Sequence, residues 1–145
     1  MKDKIVNAGS RKSVLLSHHQ LFSRFEDIAG EATNQHLLSQ LQDVLPKITV
    51  WFWGHEHNLV IYEPFEGVLG RCIGHGSFPV ATDEVQLKHP EVPVKAIALA
   101  PESGDGALFQ HGYVIMDLDG TSATTTYYQF DAVSQEEIEL HTENL

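Results

Sequence analysis

The chain has 145 residues, a length that can bury one substantial core, and its single Cys72 excludes an intramolecular disulfide and a cysteine-based zinc knuckle. Its net charge of -11 opposes long-range attraction to nucleic acid and to anionic membranes. No apolar run approaches the roughly 20 residues that cross a bilayer, and no apolar segment follows the charged start Met1-Lys2-Asp3-Lys4 as a secretory signal would require, so a reducing cytoplasm is the expected setting.

Residues 1–12 form a polar lead-in around Gly9-Ser10. The short apolar run Ser13 to Leu16 follows and ends at Ser17-His18-His19-Gln20. Leu21 to Ile28 mixes apolar and charged residues, suits a helical turn, and breaks at Gly30. Thr33 to Leu45 is the clearest helix. Leu37, Leu38, Leu41, Val44 and Leu45 share one face at helical spacing, Thr33 or Asn34 can cap the start, and Pro46 marks the end. Ile48 to Trp53 is β-branched and aromatic without helical periodicity, the pattern of a buried strand. It stops at Gly54-His55-Glu56-His57.

Strand, helix and strand within about 40 residues have the size of a βαβ unit with a parallel pair and a right-handed crossover. Parallel strands end on the same edge of a sheet. His18 and His19 therefore share a rim with His55 and His57, and that rim is where open α/β sheets place ligands.

Beyond His57 the pattern becomes antiparallel. Leu59 to Tyr62 and Val68 to Ile73 read as a hairpin through Pro64-Phe65-Glu66-Gly67, Val94 to Leu99 as a strand, and Tyr113 to Leu118 with Thr124 to Phe130 as a hairpin around Asp119-Gly120. Residues 132–145 read as an acidic tail, frayed or a short helix. The fold class is mixed α/β, a βαβ unit followed by antiparallel strands, with residues 13–131 as its body. Trp51 and Trp53 alternate as core residues, and Asp117 and Asp119 belong to a turn rather than a calcium loop. His75 reads as a turn histidine and His111 as preceding a strand. His36, His89 and His141 read as solvated.

The chemistry sits in the histidines, nine in all. Neutral imidazole ligates zinc, iron, manganese and related ions. In His55-Glu56-His57 an extended backbone would aim both rings to one side, whereas a turn after Gly54 would splay them apart. Gly54 itself lacks a Cβ and permits close approach of backbone or ligand.

Gly54-His55-Glu56-His57 after an apolar strand resembles the GHxH motif of calcineurin-like metallophosphoesterases. Val14-Leu15-Leu16-Ser17-His18-His19-Gln20 resembles the strand-end histidine motif that precedes it in that family. The hairpin from Gly112-Tyr113 through Asp119-Gly120 to Tyr127-Tyr128 resembles the family's closing hairpin. The resemblance spans residues 13 to 130 and implies a β-sandwich flanked by helices, with a two-metal site that hydrolyses phosphate esters. Carried over by position, His57 binds one ion, His18 and His55 bind the other, and His19 is the catalytic, phosphate-facing group. The implied ions are manganese, zinc or iron, and the implied substrate is a small phosphate ester, which acidity does not exclude because bound dications reverse the local sign.

The family's earlier motifs, Asp-x-His, Gly-Asp-x-x-Asp and Gly-Asn-His, do not occur here. Without a bridging carboxylate two close dications repel strongly. The resemblance thus implies the C-terminal part of such a domain, holding at most one ion and inactive alone. A missing N-terminal half would expose a sheet edge, leaving the chain dependent on that half or prone to self-association. The alternative is a non-catalytic module that binds a metal or a partner.

Overall fold

The computed structural model describes residues 1–76, 78–98 and 100–145. The fold is mixed α/β, with two sheets and few helices. Helix α1 (Lys2–Val6) precedes β1 (Val14–Ser17), α2 (Gln35–Leu41), a 3-10 turn (Leu45–Lys47) and β2 (Val50–Trp53). Then come β3 (Leu59–Tyr62), β4 (Gly70–Ile73), β5 (Val94–Ala98), β6 (His111–Asp119), β7 (Ser122–Asp131) and β8 (Glu136–Asn144). Leu99, the expected last residue of β5, lies outside the described residues. Among the described residues no helix is long and apolar enough to cross a membrane.

The first sheet has the order β1-β2-β4-β3-β5, and the second the order β6-β7-β8. The expected βαβ unit is present: β1 and β2 pair in parallel, Val14 opposite Val50 and Ser17 opposite Trp53. Its helix is shorter than the periodicity suggested. Asn34 caps it, its side chain accepting from the Leu37 amide. Pro46 does not end the α-helix but opens the 3-10 turn, whose first residues need no intrahelical N–H.

Strand β2 is buried on both faces, as its apolar run requires. Trp51 and Trp53 point to one side and pack with Phe22, Leu41, Val44, Val60 and Tyr62 against the helical layer. Val50 and Phe52 point to the other and meet Leu59, Ile61 and Tyr127 between the two sheets. Alternation along the strands thus builds three layers around two cores. The β3–β4 hairpin turns at Glu66 and Gly67, both at positive φ of 51° and 75°. The β6–β7 hairpin turns after Asp119 with Gly120 at φ 58°.

Residues 1–12 are more than a lead-in, since α1 buries Ile5 in the first core. The acidic segment 132–145 is neither frayed nor helical. It forms β8, paired with β7 from Asp131 opposite Glu136 to Thr124 opposite Asn144. The physical reason lies across the sheets: Glu143 meets the buried Arg71 of β4, and Leu145 packs into the second core. Strand β1 lies at an edge of its sheet, and its Leu16 is 72% exposed.

Candidate metal centre

The loops after β1 and β2 are tied together by one acceptor. The His18 carbonyl receives the amides of Gly54 at 3.3 Å and His55 at 2.9 Å. This sets His55 beside the β1 terminus and brings three imidazoles into contact. His18 Nε2 and His55 Nδ1 lie 3.0 Å apart. Ring centroids are 4.9 Å apart for His18–His19 and His18–His55, and 4.6 Å for His19–His55. One ligand atom from each of the three falls within 4.8 Å of the others.

His57 goes elsewhere. The backbone turns after Gly54, so the two histidines splay, and the exposed His57 ring lies against Phe78 at 4.9 Å. Of the four rim histidines, the structure therefore groups His18, His19 and His55 and leaves His57 outside. Gly54 is not the glycine that close approach demands, since a Cβ there would meet only the Gly74 Cα at an ordinary 3.8 Å. That role belongs to Gly74, where a Cβ would sit 1.9 Å from the Glu56 carbonyl oxygen and 2.4 Å from that of Gly54. The loops after β2 and β4 run backbone against backbone. The buried Cys72 thiol fastens them, donating to the carbonyls of Glu56 at 3.3 Å and Asn58 at 3.2 Å. Burial pushes this thiol well up, so it is structural rather than nucleophilic.

The three imidazoles fit a single divalent ion. Two nitrogens about 2.1 Å from a tetrahedral ion stand roughly 3.4 Å apart, close to the His18–His55 separation. Burial lowers the pKa of His55, with Glu26 opposing and the neighbouring histidines reinforcing, which favours the neutral ligand form. On its far side, His55 Nε2 faces Glu26 Oε2 at 3.9 Å, and Gln20 Nε2 donates to that same oxygen at 2.8 Å. Metal-bound histidines characteristically donate their other N–H to a carboxylate, and Glu26, at 3.9 Å and beyond hydrogen-bond distance, is the carboxylate facing that nitrogen. Glu26 carried no motif signal. Its role could be found only from the loop path that sets it opposite His55.

Glu56, between the two loop histidines, does not reach the rim. Only 1% exposed, it accepts from the Ser23 hydroxyl at 2.7 Å. Burial raises its pKa from 4.5 to about 8, the Ser23 hydroxyl opposing, so the acid is largely neutral at pH 7. Its other oxygen and the Trp53 indole nitrogen are both buried without a hydrogen-bond partner among the described residues.

The remaining histidines are dispersed. His75 lies in a turn, as expected, but is 4% exposed, and neither ring nitrogen has a hydrogen-bond partner among the described residues. His111 opens β6 with Nδ1 3.3 Å from the His75 carbonyl. His89 is not simply solvated, because it sits between Asp27 at 2.8 Å and Glu91 at 3.1 Å. His36 is exposed on α2 with Gln40 at 3.0 Å, and His141 lies on β8 near Lys95 at 3.4 Å.

On the other side of Glu26 a cleft of about 340 Å³ opens between the residues around Phe25 and the segment from Phe78 to Lys88, with His57 on its wall. The Arg24 carbonyl ties the two walls together by accepting from the Lys88 amide at 3.2 Å.

No family model matches this sequence, and no curated protein is similar enough to it to count as a relative.

Proposed function

We propose that the chain is a metal-dependent hydrolase of phosphate esters whose ion is held by His18, His19 and His55. The observation that carries this reading is the convergence of three imidazoles at the C-terminal rim of a parallel strand pair. Three neutral ligands leave a tetrahedral ion one open position, the arrangement of catalytic rather than structural sites. When bound, the ion supplies a Lewis acid that polarises a phosphoryl oxygen and lowers the pKa of water. The three histidines hold the ion, Glu26 faces the His55 ring from its far side, and the rim stays open to solvent for an incoming ester.

The metallophosphoesterase resemblance supports the same reaction class, with the ligand set revised from His18, His55 and His57. Manganese, zinc and iron all suit imidazole ligands. One ion per chain agrees with a cluster that, among the described residues, holds three histidines and no carboxylate, and a complementary chain or a second copy is the proposed source of ligands for a second ion. The open edge of β1, beside the histidines, is where such a chain would pair. A cytoplasmic setting is part of the same proposal.

A second reading, a non-catalytic metal- or partner-binding module, is favoured by the all-neutral ligand set, of which His18 and His19 are exposed and His55 half-buried. Zinc titration of the metal-free protein, followed by histidine ring resonances, tests the site. Saturable binding is expected, lost in His18→Ala, His19→Ala and His55→Ala but retained in His57→Ala. Loss on changing His57 alone, or no saturable binding, would sink the proposed site. Hydrolysis of bis(p-nitrophenyl) phosphate with added manganese then separates enzyme from module, because the module binds metal and leaves the ester intact.

A further inference from the structure

The cleft beside the histidines shares one wall residue with them. Glu26 lines the cleft and also faces His55 Nε2 at 3.9 Å. An ester whose phosphoryl group sits at the histidines has this cleft, across Glu26, as a recess for its alcohol portion. The chemistry of the recess is uneven. Phe25, Phe78 and Val85 give it apolar surface, and the Phe78 ring is backed by His57 at an interplanar angle of 33°. Two carboxylates, Glu26 and Glu84, stand on its wall. Among the described lining residues the lysine or arginine is Lys88, whose ammonium stands 3.9 Å from the Asp27 carboxylate.

We propose that this cleft binds the alcohol portion of the ester and that this portion carries an ammonium group. The substrate class is then an amino-alcohol phosphate, a conclusion that rests on the hydrolase reading above. Aromatic faces attract a cation through their quadrupole, and carboxylates attract it by charge. The same wall repels an alcohol portion that bears a second phosphate or a carboxylate. About 340 Å³ lies within the usual size of a small-molecule site and holds a trimethylammonium group with room for its linker.

The test compares choline with its uncharged isostere 3,3-dimethylbutan-1-ol, titrated into the full chain with and without zinc and followed by amide chemical shifts. Choline should shift residues around Phe25, Phe78 and Val85 and bind at least about fivefold more tightly than the isostere. Glu84→Gln and Phe78→Ala, both at exposed positions, should each weaken choline roughly two- to fivefold and leave zinc binding unchanged. Equal binding of choline and the isostere, or no binding of either while zinc saturates the histidines, would overturn the cleft proposal and leave the metal site standing. Choline binding in a protein that takes up no zinc would support the cleft and count against the hydrolase reading.

Discussion

Arg71 on β4 and Glu143 on β8 join the two sheets through a bidentate pair, Nε to Oε1 at 2.8 Å and Nη2 to Oε2 at 2.7 Å. Arg71 is 3% exposed and also donates to the carbonyls of Tyr62 and Gly70. Tyr127 donates its hydroxyl to Glu143 at 2.5 Å. Breaking one partner leaves a buried charge. Glu143→Ala should cost about 3–5 kcal/mol in urea denaturation, whereas the double change Arg71→Met, Glu143→Leu should cost much less. Equal losses in the two variants would show that the pair itself, rather than an orphaned guanidinium, sets the cost.

The two rim glycines should respond oppositely to alanine. Gly74→Ala puts a methyl group into the carbonyls of Glu56 and Gly54, so the loops after β2 and β4 must separate. It should lower the melting temperature and weaken zinc binding at least about tenfold. Gly54→Ala adds a methyl at ordinary contact distance and should leave both nearly unchanged. Thermal melts and zinc titrations of the two variants check this.

Zinc affinity should also depend on Glu26. Binding through His55 Nδ1 requires the ring proton on Nε2, and Glu26 is the carboxylate facing that atom. Glu26→Gln should lower affinity about tenfold, the usual penalty for losing such a support. Glu31→Gln, an exposed carboxylate elsewhere, serves as the control and should change nothing.

Two buried groups set opposite limits on the pH range of the metal-free protein. Burial first, and then His111, push His75 from 6.5 down to about 4, the nearby Tyr128 carbonyl opposing. The unfolded chain therefore takes up the proton first, and stability falls by on the order of 3 kcal/mol as pH drops from 6.5 to 4. Glu56, raised from 4.5 to about 8, does the reverse. The unfolded chain loses that proton first, and stability falls as pH rises from 4.5 to 8. Urea midpoints across pH should show Glu56→Gln flattening the alkaline side. An unchanged alkaline slope would mean that Glu56 is ionised when buried.

The βαβ unit was legible because its signals are local: helical spacing at Leu37, Leu38 and Leu41, then an unbroken apolar run at Val50 to Trp53. The shared rim followed from strand direction alone. Which histidines meet was not legible, because side-chain direction in an irregular loop depends on hydrogen bonds such as Gly54 and His55 to the His18 carbonyl. For that reason His19, and not His57, lies beside His18 and His55. Strand β8 was hidden by its composition. A run of glutamates resembles a solvated tail until Arg71, distant in sequence, supplies the partner for Glu143. Glu26 and the cleft were hidden likewise, since their meaning comes from the chain segments that surround them.

The single carbonyl of His18, which receives both loop amides, makes the two histidine-bearing loops one mechanical body. Ligands from separate strands usually must be gathered before an ion can settle, and that gathering costs entropy. Here the gathering is done by folding. Uptake of the ion should proceed at the speed of desolvation rather than of loop rearrangement, and the Gly54 and His55 amides should exchange with solvent slowly even before any ion arrives.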